Sequence, residues 1–318
     1  MLNKNISTIA TVALPINESW RIQRCRYQSD ELDTRLCITS GIHGDELLGQ
    51  LILFEIGHTI QQHPELFHGT LDLYPMLNPL GLDNDERMVP MHTRLDMNRA
   101  FPGENSGTPL ESICWQIIEE IKDADLVLDL HSGANEKNEL FEVRMSHCMS
   151  EKLLSVAPGL RPDIIWVYPD IPAFDSSLTG ALSKMGVPAM ILEADRQEAH
   201  PERMCRRVVD GIFSKMHDLG MWDGEIVASV SPETIPVIYS REDIARITCQ
   251  APGIYVPQFL LGSRVQKGAY LGKVINALEG TVAQEIYAPC AGYLFTQRSC
   301  SAAYPGTLLA RIRKEEYK

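Results

Sequence analysis

The sequence predicts an α/β fold with a small all-β unit at its C-terminal end. Up to about residue 230, short apolar runs of strand length alternate with longer stretches of helical period, as a sheet covered by helices on both faces requires. Beyond that point the helical period vanishes, and short β-like runs are separated by Gly and Pro at roughly eight- to twelve-residue intervals. The composition, 44% hydrophobic and 22% charged, is that of a folded globular chain and sets aside disorder, collagen and coiled coil. A division into residues 1–230 and 231–318 is expected.

Residues 35–41, RLCITSG, read as a buried strand, and 45–62, DELLGQLILFEIGHTIQQ, as the helix that follows it. Residues 71–79, LDLYPMLNP, form a second expected strand that ends at a proline. In GTPLESICWQIIEEIKDAD, Thr108 is placed as N-cap, Pro109 at the first helical position and Glu111 three residues after the cap. Leu110, Ile113, Cys114, Ile117 and Ile121 then recur at helical spacing. Residues 124–133 and 187–195 read as two more buried strands. From Pro201 onward Met204, Val208, Ile212, Phe213 and Met216 share one helical face, which Gly220 terminates. Cys114 and Cys205 fall on these apolar faces and read as buried reduced thiols; the eight cysteines contain no CxxC pair, so neither a disulfide framework nor a zinc ribbon is expected.

The formal charge of -13, from 29 basic and 42 acidic residues, repels phosphate backbones and anionic lipid, so neither nucleic acid nor a membrane is an expected partner. The first residues lack the pattern of a secretory leader, and no stretch approaches a membrane span in apolar length, so a cytoplasmic location is expected. A homo-oligomer is left open.

The chemistry-bearing side chains fall where expected strands end. His43 and Glu46 follow the strand at 35–41, Asn78 ends 71–77, His131 ends 124–130 and Glu193 ends 188–192. Ligands of open α/β sheets bind outside the carboxyl ends of the strands, so these groups are expected to meet despite their separation in sequence. His43 and Glu46, three apart at a helix entrance, can both face one ion. Two histidines and a glutamate with a vacant fourth position make a hydrolytic zinc site; His131 is the natural third ligand, and Asp129 is placed to orient a ligand from behind. Singly each signal is weak: HxxE is common by chance, and Glu193 alone reads equally as a capping or salt-bridging carboxylate. The histidines at 58, 63, 68, 92, 147, 200 and 217 lack this setting and read as surface or packing residues.

Four motifs in order, GIHGDE, LDMNRAFPG, DLHSG and ILEAD, resemble the succinylglutamate desuccinylase/aspartoacylase family, a branch of the zinc carboxypeptidases. The resemblance implies a zinc carboxypeptidase-like mixed sheet flanked by helices, with one Zn2+ per chain held by His43, Glu46 and His131. It implies that Asn98 and Arg99 grip a carboxylate or similar terminal group of a small-molecule substrate, which suits a planar guanidinium. Glu193 would be the catalytic carboxylate. Arg87, nine residues after Asn78, resembles the family's oxyanion-stabilising arginine, with Arg94, closer to Asn98, as the alternative. In the tail, GSRVQKGAYLGKV and IYAPCAGYLF resemble the barrel-sandwich hybrid of lipoyl and biotinyl carriers, but the turn that would present a modifiable lysine reads ALEGTV. The tail is therefore expected to narrow the site. The expected activity is zinc-dependent hydrolysis of the amide bond in a small N-acyl amino acid or related acylated amine. A zinc carboxypeptidase acting on short peptides and a noncatalytic binding protein are the alternatives.

Overall fold

A computed structural model describes residues 1–29, 32–90, 95–133, 137–169, 171–194, 201–226 and 237–315. Strands β1 (Asn3–Ala13), β2 (Ser19–Gln28), β3 (Arg35–Ser40), β4 (Thr70–Tyr74), β5 (Leu126–His131), β6 (Lys137–Glu139), β7 (Glu142–Ser146), β8 (Ile164–Tyr168), β9 (Ala189–Glu193) and β10 (Val237–Ile238) come first. They are followed by β11 (Ile244–Thr248), β12 (Gly253–Pro257), β13 (Arg264–Val265), β14 (Tyr270–Asn276), β15 (Thr281–Tyr287), β16 (Gly292–Arg298), β17 (Ser301–Ala303) and β18 (Leu308–Lys314). The helices are α1 (Leu48–Gln62), α2 (Pro79–Asp83), α3 (Pro109–Ile121), α4 (Ser150–Leu153), α5 (Pro172–Asp175), α6 (Leu178–Lys184) and α7 (Pro201–Asp218).

A nine-stranded mixed sheet runs β1-β2-β4-β3-β5-β9-β7-β8-β10. Its centre, β4-β3-β5-β9, is parallel, whereas β7 runs antiparallel to β9. Successive side chains of a strand point to opposite faces, and in the central strands both faces are apolar. Leu36, Ile38, Leu128 and Leu192 pack with Ile52 and Ile56 of α1 and Val208 and Ile212 of α7. Cys37, Val127 and Ala189 pack on the other face with Ile113 and Ile117 of α3 and Leu182 of α6. Helices on both sides account for the near-continuous apolar runs of these strands. The start of α3 is closed by the expected reciprocal cap between Thr108 and Glu111. Cys114 and Cys205 are both free and buried.

Two expected elements differ in extent. The helix expected from residue 45 starts at Leu48, because 43–46 form a separate turn in which the Glu46 amide donates to the His43 carbonyl at 3.3 Å. The strand expected over 71–79 ends at Tyr74; past it the Leu77 and Asn78 amides donate to the carbonyls of Ser40 and Gly41, tying that loop to the loop after β3.

The tail forms two β sheets, β11-β18-β16-β13 and β15-β14-β12-β17, around a core that includes Tyr255, Leu271, Val274, Leu294 and Ile312. Two exchanges join tail and main sheet: β6 pairs with β16, and β10 pairs with β8. Phe295 seals the junction against Ile164, Trp166, Ile238 and Ile244. The expected boundary at 230 lies outside the described residues. No helix among the described residues is long and apolar enough to cross a membrane.

Candidate metal and catalytic site

Strand register delivers half of the site. β5 and β9 are parallel neighbours in which His131 stands opposite Glu193, so the two side chains leave the same face of the sheet at the carboxyl ends of their strands. Asp129, two residues before His131, shares that face: its Oδ2 lies 2.9 Å from His131 Nε2, and its Oδ1 accepts from the Thr39 hydroxyl at 2.7 Å. With Nε2 turned to Asp129, His131 Nδ1 faces Glu46 Oε2 at 3.0 Å.

The loop after β3 delivers the rest. Gly41 sits at φ +69°, a conformation that L side chains rarely adopt. A Cβ on Gly44 would stand 2.1 Å from the carbonyl carbon of Gly81 in α2. The two glycines thus let the chain turn sharply and press against α2, which brings His43 and Glu46 to the same point. His43 Nε2 lies 3.2 Å from Asp96 Oδ1, and its Nδ1 lies 2.8 Å from Glu46 Oε1. Asp45 is buried but does not line the cleft.

The ligand atoms of His43, Glu46 and His131 lie within 4.8 Å of one another, and all three residues are buried. Despite its short approach to Glu46, His43 Nδ1 has no hydrogen-bond partner. A buried polar nitrogen left in this way is costly unless something outside the chain meets it. Two imidazoles and a carboxylate are a donor set suited to zinc, and the residues present fit a divalent ion.

Burial disfavours charge on His43 and His131, but the neighbouring carboxylates outweigh it: Glu46 and Asp96 raise His43, and Asp129 and Glu46 raise His131. Burial alone would raise Glu46, yet His131 and His43 hold it well below the usual carboxylate range. Asp96 is likewise opposed by burial, but its contact with His43 brings it down to about 2.

A cleft of about 260 Å³ opens over this cluster and is lined by His43, Glu46, Arg87, Asn98, Arg99, His131 and Glu193. Asn78, expected to meet them from the end of its strand, does not line it: its side-chain oxygen accepts from the Gly81 amide at 2.9 Å and caps α2 instead. Arg87 Nη1 donates to Glu46 Oε1 at 2.6 Å. Arg94 lies outside the described residues. Asn98 is buried and its Oδ1 accepts from the Leu178 amide at the start of α6, at 3.0 Å. Arg99 is the next residue of the same short turn, which Asp96 caps by accepting the Asn98 amide at 2.9 Å. Glu193 is held at both oxygens: Oε1 accepts from the Gly133 amide and Oε2 from Arg144, each at 2.8 Å.

Sequence reasoning missed Asp96, which contacts His43, and several residues that line the cleft. Asp96 stood inside LDMNR, two residues before Asn98, and an acid so close to a proposed binding pair was the available signal. Lys137, Glu139, Arg144, Tyr168 and Phe174 are the residues that line the cleft unannounced. They come from β6, β7, β8 and α5, and no local pattern announces that these elements close over the ends of β5 and β9.

No curated protein matches the chain closely enough to count as a relative. Residues 33–214, more than half of the chain, match the succinylglutamate desuccinylase/aspartoacylase catalytic domain. Among solved structures, a succinylglutamate desuccinylase/aspartoacylase from Rhodobacter sphaeroides superposes with a TM-score of 0.81 at 17% identity, covering 99% of this chain and 96% of its own. The product-bound ectoine utilization protein EutE (DoeB) from Ruegeria pomeroyi gives 0.80 at 19%, with coverages of 99% and 95%. A metallo-carboxypeptidase from Burkholderia cenocepacia gives 0.55 at 11%, covering 68% of this chain and 65% of its own. At these identities the structures establish a shared fold, and the last extends the likeness to the carboxypeptidase architecture. The family follows from the matched domain: the chain belongs to the succinylglutamate desuccinylase/aspartoacylase family of hydrolases, with His43, Glu46 and His131 as its metal site.

Proposed function

We propose that this protein is a zinc-dependent hydrolase that cleaves the amide bond of a small N-acyl amino acid or related acylated amine. The observation that carries the reading is the convergence of two imidazole nitrogens and one carboxylate, with Glu193 on the adjacent strand, in a single cleft that also holds Asn98, Arg99 and Arg87. Held by His43, Glu46 and His131, zinc would supply Lewis acidity, which brings the pKa of water toward about 7.

The chain's own groups then have separable tasks. Glu193 accepts the proton of the attacking water as its oxygen bonds to the amide carbon. When the C–N bond breaks, Glu193 returns that proton to the departing nitrogen, so the products are a carboxylic acid and an amine, which at neutral pH become a carboxylate and an ammonium by transfer of the acid's proton. Arg87 offers positive charge to the carbonyl oxygen as it becomes an oxyanion. Asn98 and Arg99 orient the substrate through a carboxylate or similar terminal group. Asp129 and Asp96, behind the two imidazoles, fix which ring nitrogen of each faces the ion.

A small substrate is supported by the size of the cleft and by the tail strand β16, which pairs with β6 at its rim. The product-bound state of EutE (DoeB) sets a precedent for a small-molecule ligand within the same fold. We also propose that the chain divides into a catalytic part, 1–230, and a β-rich part, 231–318, which has its own apolar core.

The test is a screen of the zinc-loaded protein against acylated amino acids, acylated diamines and short peptides, reading release of free amine. Turnover of acylated amino acids or diamines supports the proposal. Turnover of peptides alone would replace it with a carboxypeptidase, and no turnover with zinc bound would favour a binding protein. Glu193→Gln should retain zinc and lose roughly 10²- to 10⁴-fold in kcat, and near-normal activity would remove Glu193 from the proton-transfer role.

A further inference from the structure

On the other side of β9 from the metal cluster, a second charged assembly grips Glu193. β7 pairs with β9 so that Glu142 stands opposite Glu193 and Arg144 opposite Ile191; Glu142, Arg144 and Glu193 therefore leave one face of the sheet. Arg144 Nη1 donates to Glu193 Oε2 and its Nε to Glu142 Oε2, each at 2.8 Å, and its Nη2 donates to Glu139 Oε2 at 3.3 Å. The other oxygen of Glu139 accepts from Arg311 of β18 at 2.9 Å and from the Thr296 hydroxyl of β16 at 3.2 Å. Trp166 lies under both arginines, its ring centroid 5.7 Å from the Arg144 guanidinium carbon and 5.3 Å from that of Arg311.

We propose that Arg144 is a positioning residue for the Glu193 carboxylate, and that Arg311 of the C-terminal sheets sets Arg144 through Glu139. The inference rests on Glu193 being the proton-transfer group of the proposed function. Each of the three guanidinium nitrogens of Arg144 is engaged by a carboxylate of the chain, so its geometry suits holding a neighbour rather than gripping substrate. Glu193 would otherwise keep a single anchor, the Gly133 amide, about which its carboxylate can rotate. The Arg144 bond removes that rotation. The β-rich tail, none of whose described residues lines the cleft, is thereby tied into catalysis through Arg311.

The test compares Arg144→Met, Arg144→Lys, Arg311→Met and the double variant Arg144→Met/Arg311→Met, all zinc-loaded, with N-succinyl-L-glutamate and N-acetyl-L-aspartate as probes. Arg144→Met should lower kcat by roughly 10²-fold with KM changed by less than about threefold and zinc content unchanged. Arg144→Lys should recover part of that loss. Arg311→Met should lower kcat by about tenfold in the parent protein and have no further effect beside Arg144→Met, since residues that act through one another are not additive. A rise in KM at unchanged kcat, or an Arg311→Met effect of equal size in both backgrounds, would overturn the proposal. Crystal structures of the zinc-loaded parent, Arg144→Lys and Arg311→Met proteins decide the matter even if neither probe is turned over or Arg144→Met fails to fold. Displacement of the Glu193 carboxylate in the variants supports the proposal, and an unmoved carboxylate refutes it. Glu193→Gln, assayed in parallel, separates the two readings: its retained activity sinks the role of Glu193, whereas its loss beside a fully active Arg144→Met sinks only the positioning role.

Discussion

Each histidine of the metal cluster owes its orientation to a carboxylate behind it. Asp129 can do this for His131 because positions two apart in a strand share a face, and Asp96 does it for His43 from the turn that also carries Asn98. His131→Ala and His43→Ala are each expected to lose bound zinc, measured as metal per chain after dialysis; an unchanged stoichiometry would remove that residue from the ligand set. A different residue-scale outcome concerns Glu142. Burial raises its pKa from 4.5 to about 7, with Glu139 adding to the rise and Arg144 opposing it. The folded protein then keeps a proton there that the unfolded chain releases near 4.5, so this residue's contribution to stability falls as pH rises through that window and is lowest above about 7. Glu142→Gln, neutral throughout, should gain stability toward urea relative to the parent as pH rises from about 4.5 to 8, and should converge with it near pH 4.5. A stability difference that stays constant between those pH values would contradict this account.

Among the elements, the turn at 41–46 decides whether the metal ligands meet. It is short because Gly41 takes a left-handed backbone and Gly44 lies against the backbone of α2. The helix behind it starts only at Leu48, which leaves His43 and Glu46 on a turn rather than on a regular helical face. The expected i, i+3 proximity of the two ligands is present, but the bond that closes it is the 3.3 Å contact from the Glu46 amide to the His43 carbonyl. Gly44→Ala should therefore force α2 and the turn apart, costing about 1–3 kcal/mol in stability. Zinc affinity should fall with it, read by competition with a chromophoric chelator. Normal zinc affinity in this variant would show that the turn tolerates a side chain and does not need the close approach.

At the scale of the molecule, the nine-stranded sheet and the tail are fastened by exchange of strands and by one apolar plug. Phe295 of β16 is fully buried and meets Trp166 of β8 edge-on, with ring centroids 5.8 Å apart. Trp166 is also the ring under Arg144 and Arg311, so packing and charge meet in one side chain. Phe295→Ala should cost about 3–5 kcal/mol in unfolding free energy. A cost below about 1 kcal/mol would mean that the tail is attached by its strand pairings alone.

The amino-acid sequence by itself determined the parts whose physics is local. Short apolar runs marked β3, β5 and β9, a 3.6-residue apolar period marked α1, α3 and α7, and the Thr108 cap marked where α3 starts. The four motifs placed His43, Glu46, Asn98, Arg99, His131 and Glu193 at element ends, where a ligand can be reached. Only the tertiary structure decided which elements stand side by side. An apolar period specifies that a face is buried but not against what, so β7 beside β9, β6 captured by the tail, and Arg144 and Arg311 joined through Glu139 follow from long-range packing and charge pairing, which leave no periodic trace in the chain.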